Sequence, residues 1–251
     1  MQMTGNTILI TGGGSGIGRG LAEAFHALGN QVIIVGRRRA LLDETTMANP
    51  GMKSAVLDIG SADAVQTFAH QLQADFPALN VVIQNAGIMR MEALQDGKVA
   101  DAEAMITTNL LGPIRLSAAL LPQLLAQPHS TIMTVTSGLA FMPLAQTPTY
   151  NATKAALHSY TQSLRYQLKD TSVQVIELVP PYVQTELMGK HQATDPKAMP
   201  FTEFIEEVMS LLKSSPEAPE ILVERVKPQR FAEANGGYDD FFKNFNTAMA
   251  K

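Results

Sequence analysis

Thr7-Ile8-Leu9-Ile10-Thr11-Gly12-Gly13-Gly14-Ser15-Gly16-Ile17-Gly18 opens the chain's first ordered unit. Residues 7–11 are largely β-branched or aliphatic and read as a buried strand. A glycine-rich turn follows, and an amphipathic run over 18–28 begins where the turn ends. That order sets free N–H groups and the positive end of a helix dipole beside the turn, an arrangement that suits phosphate. Glycines at 12, 16 and 18 permit a tight turn, close backbone approach to a pyrophosphate and close helix–strand packing. Gly14, Ser15 and Ile17 complete the expected cradle.

Outward from this unit the pattern repeats. Short apolar runs at 31–35, 54–57, 80–84, 131–136 and 173–178 read as strands, and amphipathic stretches at 63–75, 100–121 and 150–169 read as helices. Continuous apolar strands joined by helical crossovers belong to a parallel sheet covered on both faces. The expectation is therefore α/β: a Rossmann-type doubly wound parallel sheet in three layers, α/β/α. Its ligand crevice lies beyond the carboxyl ends of the strands. No linker or internal repeat divides the chain, so 1–251 reads as one dinucleotide-binding domain. Residues 188–219, with Met188, Met199, Phe201, Phe204 and Met209, read either as a helical flap over the pocket or as an extra layer on the core. Residues 220–223 read as a last strand.

Composition narrows the function. A formal charge of -4 argues against a nucleic-acid or anionic-membrane partner. With Cys 0 there is no disulfide framework, thiolate metal site or cysteine nucleophile. The five histidines show no metal-ligand spacing, so no metal is expected. The polar leader before Thr7 lacks a signal-peptide pattern, and no apolar run reaches membrane-spanning length. A cytoplasmic enzyme is the simplest expectation.

The second strand ends in Gly36-Arg37-Arg38-Arg39, with no acid until Asp43. At this position a carboxylate would bind a ribose 2′-hydroxyl, as in NAD, whereas arginine accommodates the 2′-phosphate of NADP. Arg37 and Arg38 thus point to NADP(H) in preference to NAD(H).

Tyr150-Asn151-Ala152-Thr153-Lys154 begins a helical run, and its Tyr and Lys share one face. A nearby ammonium is expected to lower the phenol's pKa from about 10. Ser137 follows the fifth strand, placed to hydrogen-bond a substrate oxygen as charge develops.

Together these residues resemble the short-chain dehydrogenase/reductase superfamily, from Thr7 to about Leu187. The glycine motif, Asn85-Ala86-Gly87, Asp58, Ser137, Tyr150 and Lys154 all stand in the family's order, as does Asn109 in Thr107-Thr108-Asn109-Leu110. The stretch 137–144 with Pro180-Pro181-Tyr182 resembles a bacterial subgroup associated with D-alanine transfer proteins. The resemblance implies Asn109, Ser137, Tyr150 and Lys154 as catalytic residues, with Asn109 holding a water that links Lys154 to solvent. It implies cofactor contacts from Asp58, Ile59, Asn85, Ala86, Gly87, Tyr150, Lys154, Pro180, Val183 and Thr185. The family's Pro-Gly after the sixth strand is replaced here by Pro180-Pro181, and its usual C-terminal Asp-Gly-Gly is missing.

The implied activity is hydride transfer between NADP(H) and a carbonyl or secondary alcohol, as an NADPH-dependent ketone or aldehyde reductase. Substrate contacts are expected from Met89, Leu139, Phe141, Tyr182, Leu187 and Met188. The family commonly pairs through helices corresponding to 100–121 and 150–169, which implies a homodimer or homotetramer. An NAD-dependent alcohol dehydrogenase and a non-catalytic cofactor-sensing protein on the same fold stay open as alternatives.

Overall fold

The computed structural model describes residues 1–249; the last two residues of the single domain expected over 1–251 lie outside the described residues. Its strands are β1 (Thr7–Thr11), β2 (Gln31–Gly36), β3 (Lys53–Val56), β4 (Leu79–Gln84), β5 (Ser130–Val135), β6 (Val173–Leu178) and β7 (Glu220–Ile221). They form one parallel sheet in the order β3-β2-β1-β4-β5-β6-β7. The chain winds one way from β1 to β3 and the other way from β4 onward. The switch between β1 and β4 therefore opens a crevice at their carboxyl ends.

The α-helices are α1 (Gly16–Ala27), α2 (Arg39–Ala48), α3 (Ala62–Asp75), α4 (Ala100–Ile106), α5 (Gly112–Leu125), α6 (Pro148–Gln167), α7 (Phe201–Ser214), α8 (Lys227–Arg230) and α9 (Tyr238–Met249). Period-two alternation in the strands splits the core between the two faces. Ile8, Ile10, Val32, Ile34, Ile176 and Leu178 pack beneath Leu21 and Phe25 of α1, Leu42 of α2 and Phe204 and Val208 of α7. Leu9, Ile33, Val35, Val82, Ile132 and Val175 face Phe68 of α3, Leu116 and Leu120 of α5 and Leu164 of α6. This is the expected three-layer arrangement. Ser61 starts α3 as its N-cap, accepting from Ala64 N at 3.3 Å.

Three elements depart from the expected pattern. The run expected as one helix over 100–121 carries a π-turn at Thr107–Leu111 between α4 and α5. The whole run Ala100–Leu125 is long and apolar enough to cross a membrane, contrary to the sequence expectation. Here its apolar residues serve the sheet instead, since α5 packs on α3, β4 and β5. In 188–219, α7 is a layer on the core: Phe204, Val208 and Leu212 are buried and the helix lies on α1. Only the segment before α7 stays near the crevice. The strand expected over 220–223 shortens to β7.

Candidate active site

The cofactor end is built largely from main chain. Gly12 has φ +69, and a Cβ there would lie 2.9 Å from Asn85 Nδ2 and 3.0 Å from Ala86 Cα. Thr11 explains that proximity: its hydroxyl accepts from the backbone N–H groups of Asn85 and Ala86, both at 3.0 Å, while Asn85 Nδ2 donates to Thr11 O. Sequence reasoning passed over Thr11, whose role needs two loops 74 residues apart to meet. Ser15 is extended at the N-cap of α1 but makes no side-chain cap bond. Its hydroxyl accepts from Arg38 at 2.8 Å, so the first N–H groups of α1 face the crevice uncapped by it.

Arg37 is exposed at the end of β2, with no acidic residue paired to it among the described residues. Asp58 Oδ1 accepts from Gly60 N at 2.9 Å just past β3. A glycine-floored turn, a bare helix N-terminus and a free guanidinium fit a phosphorylated dinucleotide.

The residues expected to react come from the end of β5, from α6 and from the π-turn. Ser137 follows β5, and its Oγ accepts from Leu139 N at 3.1 Å, leaving its own proton free for another acceptor. Pro148 in the first turn and the carboxylate of Glu92 start α6: Glu92 accepts from Thr149 N at 2.9 Å and from Thr149 Oγ1 at 2.8 Å. A carboxylate at that end satisfies a free N–H and matches the helix dipole. It holds the turn that carries Tyr150. Nothing in the local sequence pairs Glu92 with Thr149.

Lys154 stands one turn further along α6, 4% exposed, and donates to Val135 O at 2.7 Å. Its ammonium lies 5.6 Å from the centre of the Tyr150 ring. Asn109 is fully buried in the π-turn, a kind of helix defect common at functional sites. Its Oδ1 accepts from Ile88 N and its Nδ2 donates to Ile88 O, both at 2.9 Å. A Cβ on Gly87 would lie 3.4 Å from Asn109 Oδ1 and 3.7 Å from Lys154 Nζ, so the loop after β4 closes on the same point.

The electrostatics correct one expectation. Burial pushes the Tyr150 phenol up to about 12, and the Ser137 hydroxyl beside it only partly counters this. Burial also brings Lys154 down to about 8, against the opposing pull of Glu177. Desolvation therefore sets the direction of both shifts. Glu177 is itself fully buried in β6, accepting from Thr136 Oγ1 at 2.6 Å and meeting His158 Nδ1 at 2.7 Å. A carboxylate in the apolar run Val175-Ile176-Glu177-Leu178 was the available signal for it. His158, Glu177 and Glu220 come within 4.8 Å of one another, yet Glu220 is bound to Arg230 through both oxygens.

The expected substrate residues divide. Met89 joins a buried cluster with Met105, Leu144 and Tyr150, against which Leu139 and Met188 also pack. Leu187 lines, with Met89, Arg90 and Met188, a cavity of about 350 Å³. Phe141 and Tyr182 do not join them. The short helical turn after Ser137 swings Phe141 away, edge-on to His158 at 4.7 Å and under Arg230 at 4.5 Å. Tyr182 donates to Asp195 Oδ2 at 3.0 Å, on the segment before α7.

Two expected cofactor residues likewise turn their side chains inward. Ile59 is buried in the core facing Gly112, and Val183, 2% exposed, lies in the other core cluster with its carbonyl held by Gln192 Nε2 at 2.7 Å. Any contact they make with a cofactor falls to their backbone. Thr185 remains at the crevice, where a Cβ on Gly16 would lie 3.6 Å from it, and buried Gln192 holds its hydroxyl at 3.0 Å. Pro180 O accepts from Gly138 N at 2.8 Å, tying the two loops together.

A serine, a tyrosine and a lysine gathered at strand ends beside a glycine-floored turn match one family, and the family model described as short chain dehydrogenase fits residues 6–196. The chain is a short-chain dehydrogenase/reductase. This oxidoreductase is similar to the uncharacterized oxidoreductase DltE of Bacillus subtilis, 40% identical over 98% of this chain and 99% of that protein. Among solved structures it resembles a serine dehydrogenase complexed with NADP+, at 26% identity, a TM-score of 0.77 and coverage of 85% of this chain and 91% of that one. A short-chain dehydrogenase/reductase from Burkholderia phymatum in complex with NAD superposes with a TM-score of 0.78, covering 96% and 95%, at 20% identity.

Proposed function

We propose that this short-chain dehydrogenase/reductase is an NADPH-dependent reductase of ketones or aldehydes. The observation carrying the reading is the convergence of Ser137, Tyr150, Lys154 and Asn109 on one point of the crevice, with exposed Arg37 at its cofactor end. The phosphate cradle would be Gly12, Gly14, Ser15, Gly16, Ile17 and Gly18, with Arg37 and Arg38 at the 2′-phosphate and Asp58 at the adenosine side. When bound, the nicotinamide supplies or accepts the hydride.

The chain's own groups do the rest. A phenol held near a pKa of about 12 keeps its proton across the neutral range, which suits it to protonate a carbonyl oxygen. The Ser137 hydroxyl proton, which faces the Tyr150 oxygen, would turn to that same carbonyl oxygen. Lys154 donates one proton to Val135 O and retains others for the nicotinamide ribose. A NADP+-bound relative supports the phosphorylated cofactor.

The enzyme is further proposed to act in the cytoplasm on a small molecule, without nucleic-acid or membrane partners, as a homodimer or homotetramer. Ile106 and Leu125 on the α4–α5 run, 41% and 42% exposed, and Tyr166 on α6, 71% exposed, support the pairing.

The test is NADPH consumption over a panel of ketones and aldehydes, with NADH and Tyr150→Phe alongside. NADPH-dependent turnover falling about 10³-fold in Tyr150→Phe, with cofactor binding kept, is the expected result. Turnover that survives in Tyr150→Phe removes the phenol from the acid role. Tight NADPH binding without turnover would point to a cofactor-sensing protein.

A further inference from the structure

The family model ends at residue 196, and the chain beyond it includes a helix the core does not require. Helix α9 is amphipathic: Tyr238, Phe241, Phe242, Phe245 and Met249 fall on one face, while Asp239, Asp240, Lys243 and Asn244 are exposed. No residue of α9 is fully buried, so this apolar face is only half covered. What it covers is the reacting centre: Phe245 and Met249 pack against the cluster of Met89, Met105, Leu144 and Tyr150.

Polar anchors fix the helix across the crevice. Asn246 accepts from Ala145 N at 2.6 Å and donates to Pro143 O at 3.1 Å, on the loop between Ser137 and Tyr150. Lys197 Nζ donates to Ala248 O at 3.0 Å from the segment before α7. The helix thus bridges two rims of the pocket. It is reached through Gly236 and Gly237, at φ +74 and +71, in an exposed link.

We propose that α9 is the outer wall of the substrate pocket, with Phe245 and Met249 as specificity-determining side chains for a carbonyl or carbinol compound bearing an apolar chain or ring. The chemistry of this inference rests on the reductase reading; the placement of the wall does not. Met89, Leu139, Met188, Phe245 and Met249 carry no charge, and a charged substituent among them would lose its water without a partner. An adjoining cavity of about 300 Å³, lined by Leu139, Leu144 and Ala145 among others, continues the apolar surface beside the Asn246 anchor. Arg90, the cation of the neighbouring cavity, is about half exposed, donates to Met89 O and lies 4.0 Å from Asp101, so it sits at the rim. A hydroxy amino acid such as serine would find, among the described residues of this wall, no cation for its carboxylate.

The experiment compares 2-octanone, 2-butanone and serine on the full chain, Phe245→Ala, and Lys243→Ala on the outer face as control. Binding is read from the fluorescence of bound NADPH in a Tyr150→Phe background, so it does not need turnover, and kcat/KM is read in the wild-type background. In Phe245→Ala, 2-octanone binding and kcat/KM should fall about tenfold or more, and 2-butanone less than about threefold. Lys243→Ala should change neither. Equal losses on both ketones, no loss, or tighter binding of serine than of 2-octanone by the unmutated wall would overturn the proposal. So would a change of oligomeric state on ending the chain after Gly237, with both ketones affected alike, since α9 would then be an interface element. Binding of 2-octanone that depends on Phe245 without NADPH turnover would sink the reductase reading and leave the wall in place.

Discussion

Between β1 and β4 the wall of the crevice is backbone, with Gly12 against Ala86 and two N–H groups on the Thr11 hydroxyl. Across the crevice, from Leu139 to Met249, the wall is side chains supplied by loops and α9. A backbone wall tolerates almost no variation, because a single added Cβ meets main chain that cannot rotate away. A side-chain wall can be reshaped one residue at a time, because apolar side chains, methionine above all, adapt in shape. In this chain the wall proposed for the cofactor is thereby rigid, while the wall proposed for the substrate is adaptable.

The contrast is open to direct attack. The largest effect should come from Gly12→Ala, which adds a Cβ at φ +69 against Asn85 and Ala86. The NADPH dissociation constant, measured by fluorescence titration, should rise by up to about a hundredfold, the equivalent of an overpacking cost of about 1–3 kcal/mol. A change below about threefold would show that this wall yields after all. Arg37→Ala, at a side-chain position on the same cofactor end, should raise that constant about tenfold for NADPH and far less for NADH. Equal effects on the two cofactors would remove Arg37 from the 2′-phosphate.

The smallest effect concerns the floor beneath both halves. Lys154 holds its proton only to about pH 8, and Tyr150 keeps its own to about 12. Reductive kcat/KM should therefore decline on the alkaline side as Lys154 deprotonates, well before the phenol does. Glu177→Gln removes the charge that favours the ammonium, so the decline should begin at lower pH than in the unchanged chain. His158, the other titratable group on Glu177, should leave this alkaline limb in place when changed to Gln. An unmoved limb in Glu177→Gln would detach Glu177 from Lys154.

The backbone half was largely legible in the sequence, because what makes it is local. Glycine spacing, strand alternation and helix periodicity act within a few residues, and β1, β6 and the turn after β1 stand where those patterns place them. Helix α2 was not legible: Arg39 opens it without a side-chain cap or an acid in its first turn. The π-turn at Asn109 was hidden too, since 100–121 is periodic throughout and the defect shows only once Ile88 takes both ends of the Asn109 amide.

Residue order by itself determined the sheet and the phosphate turn, and it brought out the serine, tyrosine and lysine as a set. Tertiary structure alone decided what surrounds them. It turned Phe141 toward Arg230, set Glu92 under α6 and brought Phe245 and Met249 from the far end of the chain to the cluster around Tyr150. It also raised the phenol where a neighbouring charge was expected to lower it, because burial is a property of everything packed around a group and no short motif encodes it.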